Sequence, residues 1–344
     1  MAENFKIEYL LAEKYDLWDE FLHRSVNGTI FQSSTYLKAV ERSFRRPVQI
    51  LSVTQHDEIV GGCVLFPKQR WGFSYATTPF LIPYNGFILG SFSQTSQERR
   101  RINYQAEVLD LLRLELERRY GFIRLDLTPE VIDFRCLLNG KWKFFPHFNI
   151  VIDLQRKENL FDRIRRNQRR GIKTFEKLDF KVKENQDLKT FYQMVRQCYH
   201  RHELHPPLDS QLFENFIHEL LRQQIANYFT IQIDDRPVAG MLVILDKNRV
   251  YALFAGKDFG GDWDDAELYL HWHLIQRFQE HGIHYFDLLG GMVKSIAHFK
   301  LGLGGSLWRY DQIYYFRSSL FEMIFNIVEK RKKAKRVLDY SEDM

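Results

Sequence analysis

Two stretches of this sequence occur twice, in the same order. Residues 56–66, HDEIVGGCVLF, resemble residues 234–244, DDRPVAGMLVI: a turn rich in acids, then a valine, a small residue, glycine and an apolar run. Residues 118–127, RRYGFIRLDL, resemble residues 279–288, QEHGIHYFDL: a helix end, a glycine cap and a strand closing on Asp-Leu. Repetition at so long a spacing predicts a duplicated folding unit rather than a short-period solenoid. The hydrophobic periodicity agrees. In the first half, strands are expected at 5–10, 48–54, 59–66, 72–77 and 122–127, with helices at 17–22, 35–43 and 98–120. In the second, strands are expected at 148–154, 228–233, 238–245, 250–255 and 284–288, with helices at 159–178, 188–200, 210–223 and 266–281. Helices alternating with strands make each half an α/β unit layered around a mixed sheet. The expected division is 1–147, 148–318 and a C-terminal amphipathic helix with a basic tail at 319–344.

The copies are unequal. After LDL the first continues TPEVIDFRC, whereas the second continues LGGMVKSIAHFKLGLGG, with Lys300 set between Phe299 and Leu301. Chemistry is therefore expected in the second half. A lysine in an apolar, glycine-rich setting suits stabilisation of negative charge in a transition state. The alternative is a tight turn with a solvated lysine. A phosphate loop is excluded by order, since Lys300 precedes the glycines instead of following them.

Bulk properties narrow the classes further. A chain of 344 residues, 45% hydrophobic and 27% charged, can build two cores. No apolar run is long enough to span a bilayer, and the N-terminus lacks a signal-peptide layout. Three scattered cysteines point to a reducing compartment, and the location expected is cytoplasmic. The net charge of +5 permits an anionic partner without requiring nucleic acid. The basic stretch 163–183 reads either as a phosphate or RNA contact or as a solvated helix. His200, His202 and His205, and likewise His271 and His273, stand two or three apart and do not share a helix face as HExxH ligands do, so no metal is expected. Asp287 ends a strand, as its twin Asp126 does in the half without the lysine, which favours a structural role for both. The segment 318–336 reads as a helix docked on its own domain or as a peripheral membrane contact.

These motifs carry a family resemblance. YFDLLGG followed by HFKLGLGG resembles the signature of the FemAB/FemX-type transferases. GTIFQSSTYLKAV, NLFDRIRRNQRRGIKTFEK, RVYALFAGKD and ELYLHWHLIQ resemble, in order, other segments of that family, so that the likeness runs from about Asn27 to Phe316. Position 303 is Leu where the family usually has Phe, the loop from Gly291 to Phe299 is shorter than in typical cell-wall members, and no long helical arm interrupts the second half. The resemblance implies two tandem acetyltransferase-like (GNAT) domains and acyl transfer to an amine. It implies that Lys300 stabilises charge on the reacting ester or its tetrahedral intermediate, and that Lys38 and Arg201 bind the phosphates of a cell-envelope precursor. The donor implied is aminoacyl-tRNA, a substrate and not a bound cofactor. The alternatives are an acyl-CoA-dependent GNAT enzyme acting on a polysaccharide or lipid amine, and a non-catalytic tandem-GNAT binding protein. For acyl-CoA, KDFGGD at 257–262 is only a loose counterpart of the acetyl-CoA loop.

Overall fold

A computed structural model describes residues 5–70, 72–79, 81–90, 98–130, 133–138, 140–201, 206–261, 263–319, 322, 323 and 325. In chain order the elements are β1 (Phe5–Tyr9), α1 (Tyr15–Arg24), α2 (Ser34–Phe44), β2 (Gln49–Gln55), β3 (Glu58–Leu65), β4 (Pro67–Arg70), β5 (Phe73–Ala76), β6 (Ile88–Leu89), α3 (Glu98–Arg119) and β7 (Phe122–Asp126). There follow β8 (Trp142–Asp153), α4 (Leu160–Arg163), α5 (Arg166–Phe175), β9 (Lys181–Glu184), α6 (Leu188–Arg201), α7 (Ser210–Arg222), β10 (Ala226–Ile233) and β11 (Arg236–Leu245). The last are β12 (Arg249–Lys257), α8 (Ala266–Glu280), β13 (Tyr285–Asp287), α9 (Lys294–Gly302) and β14 (Ser306–Phe316).

The duplication is visible in the backbone. Hairpins β2–β3 and β10–β11 both turn on two consecutive left-handed residues, His56 and Asp57 in one (φ 49° and 64°), Asp234 and Asp235 in the other (φ 49° and 59°). Such two-residue turns match the right-handed twist of the strands they join. Each hairpin also shifts register once, between Val53 and Thr54 and between Ile231 and Gln232. In each unit a long helix, α3 or α8, leads into a strand that runs parallel to a preceding one: β7 beside β5, and β13 beside β12. The fold is a mixed α/β one, built twice.

The first compact unit comprises residues 1–28, 47–145 and 311–344. Its core joins the inner faces of β2, β3 and β7 to α3, whose Val108, Leu109, Leu112 and Leu116 form a buried stripe at helical spacing. The strand that corresponds to β12 is interrupted here. β5 and β6 flank an excursion in which the Asn85 side chain donates to Val64 O (3.0 Å) and accepts from Asp126 N (2.9 Å) and Thr78 Oγ1 (2.9 Å). Of the segment expected as a C-terminal helix, only Ser319, Glu322, Met323 and Phe325 lie among the described residues; Phe325 packs with Phe122, Tyr314 and Phe316 of this unit.

The second unit comprises residues 29–46 and 146–310. Its strands run β8-β13-β12-β11-β10-β9. β11 is buried continuously from Pro237 to Ile244, because α6 and α8 pack against it. α8 is apolar nearly all round for the same reason.

Two expectations need correction. The division at 147/148 does not follow the compact units, since α2 packs on α7 of the second unit while the end of β14 pairs with β7 of the first. The single helix expected over 159–178 is two. Ile164 is buried in extended backbone (ψ 137°), and Arg165 N donates to Gly302 O (2.8 Å), so a tertiary contact replaces one helical turn.

Candidate active site

β12 and β13 run parallel for only three residues, Arg249–Tyr251 against Tyr285–Asp287. β12 then continues to Lys257 while β13 stops. At that divergence the chain makes a sharp bend. Leu289 and Gly290 are both left-handed (φ 54° and 59°), which for a leucine costs about 1–2 kcal/mol. The bend is fastened by the Asp287 carboxylate, whose Oδ1 accepts from Leu289 N at 2.9 Å. Asp287 itself is fully buried. A side chain at Gly291 would lie 2.4 Å from Phe148 O, so the chain passes β8 too closely for any other residue.

The bend turns the carbonyls of Leu288 and Leu289 towards α9, where Lys300 donates to both, at 2.6 and 3.3 Å. A Cβ at Gly290 would stand 3.2 Å from the Lys300 Nζ. α9 is in turn tied to α5, because Gln168 Nε2 donates to Phe299 O (3.0 Å) and the Arg165 guanidinium meets the His298 ring. Lys300 is half-buried. Burial lowers its pKa to about 8, against the pull of the Glu267 and Asp287 carboxylates, which favour the charged form. Three ammonium hydrogens with two backbone acceptors leave one donor for a further ligand.

His271 of α8 lies on the same side. It is fully buried, its ring 5.3 Å from that of Phe299, and its Nδ1–H donates to Glu267 O at 2.8 Å. Burial, chiefly, and the Lys300 charge lower its pKa to about 4, so it is a neutral core histidine at pH 7. Among the described residues no three His, Cys, Asp or Glu side chains come together as a metal site. His202 and His205 lie outside the described residues. The thiol of Cys198 is pushed up to about 11 by burial, which disfavours the thiolate that a covalent acyl carrier needs.

The two other residues singled out in the sequence also fall in the second unit. Arg201 ends α6 with its guanidinium over the Phe259 ring (4.5 Å to the centroid). Lys38 is on the exposed side of α2, whose buried face sets Tyr36 on Phe216 of α7 and whose Arg42 pairs with Glu219 (2.7 Å). The loop into α8 satisfies itself. Lys257 donates to Asp264 O and Oδ1, both at 2.8 Å, and Arg236 pairs with Asp258 at 2.7 Å while stacking on Trp263. A side chain at Gly261 would strike the Trp263 ring at 2.3 Å. The end of α8 that attracts anions thus carries Asp264, Asp265 and Glu267. The asymmetry between Asp287 and Asp126 has no sequence signal. Asp126 accepts from Gln312 Nε2 (2.5 Å) and pairs with Arg124 (3.2 Å), and no left-handed residue follows it at 127 or 128.

The family profile described as an acetyltransferase (GNAT) domain matches residues 159–300, a span that closes on Lys300. The match marks the chain as an acyltransferase. No curated protein matches it. Among solved structures, FemX superposes with a TM-score of 0.67 at 14% identity, covering 93% of this chain and 99% of that one. L-PGS from Bacillus licheniformis gives 0.52 at 14% identity, covering 92% and 96%. A tandem GNAT protein from the clavulanic acid biosynthesis pathway gives 0.52 at 9% identity, covering 90% and 98%. The fold is thus the FemX-like tandem of two GNAT units.

Proposed function

We propose that this protein is an N-acyltransferase that moves an aminoacyl or acyl group from an activated donor to an amine of a cell-envelope precursor, with Lys300 at the reaction centre. The observation that carries this reading is a half-buried ammonium, held by two backbone carbonyls, where two parallel strands of the GNAT domain part. The acceptor nitrogen attacks the donor carbonyl carbon, a C–N bond forms, and the carbonyl electron pair moves onto oxygen. The remaining N–H of Lys300 stabilises that oxyanion. Collapse breaks the bond to the leaving ester oxygen, or thioester sulfur, which takes the proton the amine gives up. With a pKa of about 8, Lys300 is largely protonated at pH 7, as this role requires. Lys38 and Arg201 are the cations proposed to hold the acceptor's phosphates.

The loop into α8 supports an aminoacyl ester, the donor being aminoacyl-tRNA, over acyl-CoA. A CoA pyrophosphate at that helix end would face Asp264, Asp265 and Glu267, with Lys257 and Arg236 already paired. In a transfer assay with aminoacyl-tRNA or acyl-CoA as donor and UDP-linked muropeptide as acceptor, Lys300→Met is expected to lower kcat by about 10²–10³-fold. Unchanged turnover by this variant would refute the mechanism. Tight saturable binding of an acyl-CoA would refute the aminoacyl donor.

A further inference from the structure

We infer that Asp287 is a positioning residue for Lys300: by capping the left-handed Leu289–Gly290 bend, it sets the two carbonyls that hold the lysine amine in place. The role as a reaction partner rests on the function proposed for Lys300; the positioning itself does not.

The chain of contacts is short. Asp287 Oδ1 accepts from Leu289 N at 2.9 Å, two residues on, as in an Asx-turn. Leucine resists the left-handed conformation that follows, so the bend needs a fastener outside the leucine's own preference. The same bend presents Leu288 O and Leu289 O to Lys300 Nζ at 2.6 and 3.3 Å. Removing the fastener therefore releases the acceptors as well. The first unit supplies the contrast. Asp126 ends the equivalent strand, but its carboxylate meets Gln312 and Arg124, no left-handed pair follows, and that copy has no lysine to hold. The twin positions look equivalent in sequence and have different uses. The charged and titratable groups facing Lys300 are Asp287 from β13 and Glu267 and His271 from α8.

The test reads the Lys300 amine directly. The full chain is pulsed with acetic anhydride between pH 6 and 10, and acetylation of Lys300 is followed by mass spectrometry in wild type, Asp287→Asn and Asp287→Ala. Asparagine keeps the Oδ1 acceptor, so its Lys300 is expected to label within about twofold of the wild-type maximal rate, with the midpoint moved to lower pH by loss of the neighbouring negative charge. Alanine frees the bend, so Lys300 is expected to label at least about fivefold faster, with a midpoint near that of an ordinary lysine. Wild-type rate and midpoint in a folded Asp287→Ala protein overturn the inference. Where Asp287→Ala does not fold, Leu289→Gly, which keeps Asp287 but loosens the bend, takes its place: faster labelling supports the inference and unchanged labelling overturns it. Transfer kinetics separate the two readings. Positioning predicts that Asp287→Ala lowers kcat about 10²-fold with KM within about twofold, and that Asp287→Asn recovers most of it. Lost transfer with wild-type labelling overturns positioning and leaves the Lys300 mechanism standing; altered labelling with wild-type transfer does the reverse.

Discussion

An ammonium held away from water weakens the fold around it, and at Lys300 the size of that effect follows from the structure. Burial brings its pKa from 10.5 to about 8, a drop of about 2.5 units at about 1.4 kcal/mol each, or about 3 kcal/mol. Below pH 8 both folded and unfolded chains hold the proton, and the whole penalty is present. Between pH 8 and 10.5 the unfolded chain keeps a proton that the folded chain has lost, so stability rises with pH across that window. Lys300→Met removes the charge and leaves Leu288 O and Leu289 O without their donor, a loss of about 1–3 kcal/mol that does not depend on pH. At pH 7 the variant is thus expected to be as stable as wild type or up to about 2 kcal/mol more stable. From pH 7 to pH 10 the comparison shifts towards wild type by about 2.5 kcal/mol. Urea unfolding of both proteins, followed by tryptophan fluorescence at half-unit pH steps, gives this difference directly. Background titration of tyrosines and other lysines is common to both proteins and cancels. A difference that stays flat from pH 7 to 10 would mean that Lys300 is not held as described. The same titration should cut turnover, because an amine without its proton is a weaker partner for an oxyanion.

Three further outcomes are expected. Gly290→Ala puts a methyl group into a left-handed position 3.2 Å from the lysine amine, and should lose about 1 kcal/mol of stability and lower kcat more than KM, as urea unfolding and steady-state kinetics would record. His271, whose pKa is lowered from 6.5 to about 4, binds a proton less readily when folded. Stability should therefore fall as pH drops from 6.5 to 4, and an unfolding series with His271→Gln should show a shallower fall. Lys38→Ala and Arg201→Ala should raise KM for a diphosphate-bearing acceptor several-fold while sparing kcat, and equal KM values in all three proteins would remove these cations from the acceptor site.

The duplicated fold was legible because its signals are side-chain patterns: acidic two-residue turns, helix ends and strands that finish on Asp-Leu. Lys300 was legible for the same reason, as a cation in a glycine-rich run present in one copy alone. What holds it was not. Two main-chain carbonyls and a left-handed leucine leave no mark on residue types, and Asp287 reads identically to Asp126 although only one of them caps a bend. The split of the helix expected over 159–178 was hidden likewise, since Ile164 fits a helix and is drawn out of it by Gly302 some 138 positions later. The self-pairing of Lys257 with Asp264 and of Arg236 with Asp258 depends on facing geometry, which spacing alone does not supply.

The way the compact units are assembled from the chain bears on how the protein is made. The second unit includes residues 29–46, synthesised well over a hundred residues before α7, against which α2 packs. The first unit includes residues from 311 onward, and β7 gains its β14 partner only when the ribosome has almost finished. Neither unit can be completed as it emerges, so final folding waits for release of the chain. A cut at 146 that looks natural in the sequence would yield two fragments, each lacking a piece that the other carries.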